Sequence, residues 1–81
     1  MTTETLNALN ALVQNLNLKE ETFYSVILRP WGIDFQGYMD TDTFQIARKL
    51  GIELKQHPTN SWFSGDIMYE GVHIKLCLTI G

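Results

Sequence analysis

The chain is almost free of cysteine, which excludes disulfide bonds within it, because Cys77 is the only cysteine among 81 residues. The first residues also lack the positive charge and the apolar run of a secretion signal. No apolar stretch approaches the roughly 20 residues that are needed to span a bilayer. We therefore expect a cytoplasmic protein that has no membrane partner.

Positive charge is scarce as well. Six Lys and Arg residues stand against nine Asp and Glu residues, so the formal net charge is −3. General affinity for nucleic acid needs enough cations to displace phosphate counterions, so this balance argues against it. A local basic patch of Arg48, Lys49 and Lys55 keeps nucleic-acid binding open as an alternative. Cations in this position also complement the dipole at the end of a helix, and we favour that interpretation.

The usual patterns of metal, cofactor and catalytic sites are missing. His73 and Cys77 are four residues apart on one predicted strand, about 13 Å at the usual rise per residue, which is too far to share a zinc ion. The glycines are scattered singly, so the chain has no glycine-rich phosphate loop. We expect no metal, no cofactor and no enzymatic activity.

The clearest positive signal is a β-hairpin over residues 61–80. Apolar and polar residues alternate on both sides of Glu70-Gly71, which has the composition of a two-residue turn. The register that this turn sets gives the following pairs: Tyr69 with Val72, Met68 with His73, Ile67 with Ile74, Asp66 with Lys75, Phe63 with Leu78 and Trp62 with Thr79. One face of the hairpin is then apolar along its whole length.

Another hairpin, which comes first in the chain, is predicted over residues 23–38, with its turn at 29–32; we call it the first hairpin and that over 61–80 the second. If Leu28 pairs with Ile33, the face away from the core carries three large residues: Phe23, Ile27 and Tyr38. A bulged three-residue turn would instead shift the register by one residue and bring Phe23 and Ile27 to the core.

The N-terminal segment has the spacing of an amphipathic helix of about four turns. Its apolar stripe consists of Leu6, Leu9, Val13 and Leu16. Thr2 or Thr3 can cap its first turn. Two heptads are too few for a free-standing coiled coil, so we expect this helix to cover a sheet.

A shorter helix is predicted after Asp40, its N-cap candidate, and before Gly51, which suits a left-handed C-cap. Residues 46–52 resemble the first helix and turn of helix-turn-helix DNA-binding proteins. However, Pro58 interrupts the segment that would form the recognition helix, so we interpret the pattern as a capped helix. Residues 52–56 form either a short strand or an extended link.

This order of elements, αββαββ, predicts a single α+β domain over residues 1–81. The simplest architecture has two layers: a mostly antiparallel four-stranded sheet with both helices on one face. The sequence leaves the order of the strands open.

The aromatic residues suggest a function. Trp31 is predicted at a hairpin tip and Trp62 on a polar face, and exposed Trp and Tyr residues commonly anchor protein interfaces. Two short helices cannot cover all the apolar surface, which also favours a partner. The residues predicted to bind a partner are Trp31, Tyr38, Phe23, Ile27 and Trp62.

We therefore expect a non-enzymatic interaction module that binds a protein partner sterically and forms a homodimer. Small, mildly acidic proteins of this kind are frequent among phage and mobile-element accessory factors, an association that rests on size and composition alone. Three alternatives stay open: a nucleic-acid-binding protein that uses the basic patch, a small-molecule sensor with a pocket between helix and sheet, and an enzyme that would use His57 with acids across a dimer interface.

Overall fold

The computed structural model describes residues 3–19, 21–58 and 61–80. These residues form two helices and five strands, which confirms the α+β class. In chain order the elements are α1 (Thr3–Leu16), β1 (Ser25–Arg29), β2 (Gly32–Tyr38), α2 (Thr41–Leu50), β3 (Lys55–Gln56), β4 (Trp62–Tyr69) and β5 (Val72–Thr79).

The five strands form one mixed sheet in the order β1-β2-β5-β4-β3. The neighbours β2 and β5 are parallel, whereas the other pairs are antiparallel. The predicted four-stranded sheet is therefore corrected to five strands with a parallel pair at its centre. The chain between β2 and β5 contains α2, β3 and β4, and it is long enough to return β5 parallel to β2.

The second hairpin has the register that its alternation predicts, including Tyr69 opposite Val72 across the turn. Asp66 and Lys75 are opposite each other as predicted. The carboxylate of Asp66, however, contacts Nε2 of His73 at 2.7 Å, because diagonal neighbours on one sheet face are also within reach.

The first hairpin closes with Leu28 opposite Ile33, so the prediction that assumed this register is confirmed and the bulged turn is not found. Ile27 is opposite Asp34 on the face away from the helices. Its side chain is half-buried there.

A bulge at the start of the first hairpin corrects the placement of Phe23. The backbone N–H of Tyr24 donates to the carbonyl of Gln36 at 2.9 Å, although Gln36 is already the partner of Ser25. Two residues thus face one, which is the arrangement of a β-bulge. Phe23 is consequently buried in the core, with its ring centroid 5.0 Å from that of Phe35.

Both helices pack on the same face of the sheet. Leu12 and Leu16 of α1 and Ile46 of α2 line one interior space together with Phe35 and Leu76 of the sheet. The buried apolar core consists of Ala8, Leu12, Phe23, Ile33, Phe35, Ile46, Ala47, Ile52, Val72, Ile74, Leu76 and Leu78.

The ends of α2 are those that the sequence predicts. Asp40 Oδ1 accepts from the backbone N–H of Thr43 at 2.9 Å, and the Thr43 hydroxyl accepts from the Asp40 N–H at 3.1 Å. Gly51 ends the helix with φ 77°, and β3 begins where a helix-turn-helix protein would have its recognition helix. At the other helix, α1 begins at Thr3, and the candidate cap Thr2 lies outside the described residues.

Candidate interaction surfaces

The sheet face opposite the helices is covered by no other element of the described chain. We call it the open face. Because side chains that are paired across strands lie on the same side of a sheet, the register defines its members. They are Ser25, Ile27 and Arg29 on β1, Asp34, Gln36 and Tyr38 on β2, His73, Lys75, Cys77 and Thr79 on β5, Trp62, Ser64, Asp66 and Met68 on β4, and Lys55 on β3.

Four rings cross one end of the open face, and we call them the aromatic row: Tyr24, Tyr38, Trp62 and His57. The rings of Tyr24 and Tyr38 are 5.2 Å apart between centroids, and those of His57 and Trp62 are stacked at 3.6 Å. Thr79 separates the two pairs, since it is the partner of both Tyr38 and Trp62. The row therefore extends from the β1 side of the sheet to the β3 side.

Backbone and side-chain hydrogen bonds hold His57 in the aromatic row. Its N–H donates to the carbonyl of Trp62 at 3.1 Å, and its ring Nε2 is 2.8 Å from the hydroxyl oxygen of Ser64. The hydroxyl of Thr79 donates to the carbonyl of Gly37 at 3.4 Å. The rings at the β3 end of the row are thus positioned by the sheet itself.

Exposure distinguishes the two ends of the aromatic row. Tyr24 and Tyr38 are 55% and 56% exposed. Trp62 and His57 are half-buried against each other. A partner that contacts the row would therefore meet two accessible phenol rings with polar tips and the outer surface of a rigid stack.

The remainder of the open face carries charges of both signs. Arg29 Nε contacts Asp34 Oδ2 at 2.8 Å, and Asp66 contacts His73. Lys75 lies exposed on β5, between the strands that carry the two acids. Because cations and anions are interspersed, this region has no charge of a single sign.

Trp31 is at the tip of the β1–β2 turn and is 64% exposed. The guanidinium carbon of Arg29 lies 5.9 Å from the centroid of its ring. The carbonyl of Trp31 accepts from the backbone N–H of His73, so the turn is attached to β5 although the ring remains in solvent.

The structure brings together only some of the predicted partner-binding residues. Tyr38 and Trp62 both flank Thr79 at one end of the open face. Trp31 adjoins the opposite end of β2, roughly 20 Å away along a strand of this length. Ile27 lies between these ends, and Phe23 belongs to the core.

Tyr24 and His57 are members of the aromatic row that the sequence analysis missed. Simple alternation assigns Tyr24 to the other face, and only the bulge brings it next to Tyr38. A signal for His57 did exist: if 52–56 is a strand paired with the final hairpin, the next residue falls opposite its first aromatic residue. His57 reaches this position only because β3 pairs with β4, a pairing that the sequence does not specify.

The three cations of the predicted basic patch are divided between the two sides of the sheet. Arg48 and Lys49 are exposed in the last turn of α2, on the helical side. Lys55 is paired with Ser64, and its side chain lies on the open face. The fold therefore does not gather the three residues into one surface.

Cys77 lies half-buried on the open face. Burial raises the pKa of its thiol above the ordinary value, and Asp34 adds to this rise, whereas Lys75 opposes it. A thiol with a raised pKa is a poor nucleophile at neutral pH. Within the described residues, no three His, Cys, Asp or Glu side chains are grouped so that they could hold a metal ion.

The Ser64 hydroxyl beside His57 has the atoms of a nucleophile and a base, but a catalytic pair also needs a group that orients the base. Asp66, two residues further along β4, contacts His73 instead. The ring of His57 is stacked on Trp62. We therefore interpret the Ser64–His57 contact as structural support for the aromatic row.

The innermost space between helices and sheet is closely filled, whereas an apolar groove of about 230 Å³ is open between α1 and the β1 side of the sheet. The space among Leu12, Phe35, Ile46, Leu76 and their neighbours has no volume that a water molecule could occupy. A small molecule could enter this space only by displacing core side chains. In the described part of the chain, no helix is both long enough and apolar enough to cross a membrane.

These features define a small two-layer α+β domain that has one face of its sheet uncovered. Comparison with known proteins finds no matching family model and no significant match among curated proteins or solved structures.

Proposed function

We propose that this protein is a non-enzymatic interaction module, which binds a protein partner by occupying its surface and which also associates with a second copy of itself. The observation that carries the first part is the aromatic row on the open face. Tyr and Trp side chains offer a large apolar area together with a polar tip, which is why they are common anchors of protein interfaces.

The rigidity of the aromatic row supports this function. Its rings touch in pairs, and the two pairs belong to one sheet, where β5 separates the strand of Tyr38 from that of Trp62. A surface that is ordered before binding loses little conformational entropy on association, so more of the contact energy appears as affinity. The mixed charges beside the row would then form the polar rim of the contact.

The charge distribution favours a protein over a nucleic acid as the partner. Single-stranded nucleic acids do stack their bases on exposed aromatic rings, but they also need a basic groove for the phosphates. On the open face, Asp34 and Asp66 lie among the three cations Arg29, Lys55 and Lys75, so the cations form no continuous basic groove, and the net charge of the chain is −3. The alternative of nucleic-acid binding through the basic patch is disfavoured because Arg48 and Lys49 lie on one side of the sheet and Lys55 on the other.

The proposal is tested by affinity capture from a lysate of the source cells. We expect the wild type to retain a defined protein, and the double variant Tyr38→Ala, Trp62→Ala to retain it at least about tenfold more weakly, as is typical when anchor residues are removed. Phe44→Ala is the matched control, because Phe44 is an exposed aromatic residue on α2.

Three results would contradict the proposal. One is equal capture by wild type and double variant. Another is equal loss of capture with Phe44→Ala. The third is retention of nucleic acid with a steep dependence on salt, which would favour the alternative function.

A further inference from the structure

Strand β1 is one of the two outer strands of the sheet, and only the ends of its free edge carry protecting features: the bulge at Tyr24 and Ser25, and Arg29 followed by Pro30. The other outer strand, β3, has only two residues, whereas β1 has five and no described strand pairs with its outer side. Natural proteins usually blunt such an edge with an internal charge, a proline or a bulge. Val26, Ile27 and Leu28, at the centre of β1, carry none of these.

The geometry of the first hairpin shows which backbone groups of β1 are available. Arg29 and Gly32 close a two-residue turn, so they exchange hydrogen bonds with each other, and the exchange recurs at every second residue. Val26 and Leu28 consequently direct their N–H and C=O groups outward from the sheet. The side chain of Val26 is 44% exposed.

An apolar groove of about 230 Å³ runs beside this edge, on the helical side of the sheet. It is lined by the apolar residues Leu9, Val13, Leu18, Phe23, Val26 and Phe35, together with Lys19. Above it, Leu6, Leu9 and Val13 form a stripe on one flank of α1, at spacings of three and four residues. Leu6 and Val13 of this stripe are about 40% exposed.

We propose that a second copy of this chain docks on the β1 edge. The two β1 strands pair antiparallel about a two-fold axis at Ile27, and they join the two sheets into one. On the helical side, the α1 stripe of one copy packs against that of the other over the grooves. This inference rests on the self-association in the proposed function and assigns it to a surface distinct from the aromatic row.

The β1 strand is complementary to itself. A two-fold axis at Ile27 places Val26 opposite Leu28 of the second copy and Ser25 opposite Arg29. No like charges then face each other across the strands, and the Arg29 guanidinium is already paired with Asp34. Both faces of the new strand pair would be apolar at their centre.

The region carries few charges, although each copy has a net charge of −3, and the charge that lines the groove is the cation Lys19. Helix α1 carries only Glu4 among its fourteen residues, and β1 carries only Arg29. Two copies can therefore meet along α1 and β1 without bringing their acidic residues together. Depletion of charge is what distinguishes the buried core of interfaces from the remaining surface.

The apolar surface at this edge includes both a strand, β1, and a helix, α1, which favours a second copy of the chain over an extended peptide as the occupant. A single added strand could pair with β1 and fill part of the groove. It would leave Leu6 and Val13 of the α1 stripe in water, because nothing would lie in the helical layer beside them. A second copy supplies its own α1 for that layer.

Cross-linking through one engineered cysteine tests the register directly. In a Cys77→Ser background, Ile27→Cys would place two thiols opposite each other at the two-fold axis. Ile27 directs its own backbone groups to β2, so this is a non-hydrogen-bonded pair, with Cβ atoms about 5 Å apart. Met68→Cys in the same background is the control, since Met68 is more exposed but lies on β4.

We expect mild oxidation to convert the Ile27→Cys variant to a species of twice 9.3 kDa and to leave the Met68→Cys variant largely monomeric. Equal cross-linking of both variants, or none with Ile27→Cys, would overturn the proposed pairing. Ile27 lies on the open face away from the core, so the substitution leaves the core side chains in place.

Light scattering at increasing protein concentration measures the dissociation constant of the dimer, and it tests the contributions of the sheet layer (β1) and the helical layer (α1) separately. We expect a wild-type dimer, and a dissociation constant that Val26→Lys and Val13→Lys each raise by more than about tenfold, because each would bury an ammonium group against apolar residues. Phe44→Lys is the control, since Phe44 is 45% exposed and Val26 44%. Circular dichroism confirms that the variants remain folded.

A wild-type monomer at every concentration would overturn the proposal. So would a dimer that dissociates with Tyr38→Ala but tolerates Val13→Lys and Val26→Lys. Capture of the protein partner distinguishes the two proposals. If a monomeric Val26→Lys variant still retains the partner, then partner binding does not require the β1 dimer, and either proposal can fail without the other.

Discussion

Gly65 shows how a single residue determines the packing of a whole segment. A Cβ atom at this position would lie 2.4 Å from the carbonyl oxygen of Glu53 and 2.6 Å from Cγ2 of Ile52. The missing side chain lets the segment after α2 cross β4 closely on the helical side. Ile52 can then enter the core, and the chain continues into β3 at the edge of the sheet.

We expect Gly65→Ala to lower the free energy of unfolding by about 1–3 kcal/mol, as is typical of overpacked sites. The nearest obstacle is a backbone oxygen, which cannot rotate away as a side chain can. Urea unfolding checks the value, with Met68→Ala on the same strand as the control, because Met68 is exposed. Equal stability of the two variants would show that the 52–53 segment moves aside without cost.

At the scale of single elements, α2 illustrates local control of structure. Asp40 and Thr43 exchange hydrogen bonds across the first turn, and the Thr43 hydroxyl also donates to the carbonyl of Tyr38 at 2.7 Å. This last bond joins the start of the helix to the end of β2. Because Tyr38 also belongs to the aromatic row, the helix cap and the proposed binding surface share an anchor.

We expect Asp40→Ala to lower the free energy of unfolding by about 1 kcal/mol, since it removes an N-cap. Asp42→Ala is the control: Asp42 is exposed in the first turn and contributes only through the helix dipole, which gives about half as much. Thermal unfolding followed by circular dichroism measures both variants. A larger loss with Asp42→Ala would contradict the assignment of the cap.

The hairpins show what local sequence can and cannot predict. The second hairpin follows from its strict alternation about Glu70-Gly71, and its register is as predicted. The first hairpin has the predicted turn register, but the bulge at Tyr24 and Ser25 reverses the faces of the residues before it. Phe23 and Tyr24 are both large aromatic residues, so hydrophobicity alone does not reveal which of them is buried.

At the scale of the whole molecule, the order of the strands was beyond the reach of the sequence. The sequence of each hairpin predicts how its own two strands pair. It does not predict which strand of one hairpin will pair with which strand of the other. The parallel contact between β2 and β5 joins residues that are about 40 positions apart in the chain, such as Ile33 and Ile74, and no local pattern encodes it. The sequence names Tyr38 and Trp62 of the aromatic row as candidate partner-binding residues. The positions of Tyr24 and His57 in the row depend on the bulge and on the β3–β4 pairing, which the sequence does not reveal.

The fold separates three surfaces of the molecule. The helices cover one face of the sheet, the aromatic row lies on the opposite face, and the apolar groove follows the free edge of β1. We propose that the edge binds a second copy of the chain and that the open face binds a protein partner. A dimer formed through β1 would carry two copies of the aromatic row on one continuous sheet face, so its binding could be bivalent.

Hydroxyl-radical footprinting at increasing protein concentration tests this assignment most directly, because it reports the exposure of individual side chains. We predict that oxidation of Leu6, Val13 and Val26 falls as the dimer forms, while oxidation of Tyr38 and Met68 stays constant. Protection of Tyr38 together with continued exposure of Val13 and Val26 would contradict the account, since the copies would then meet through the open face.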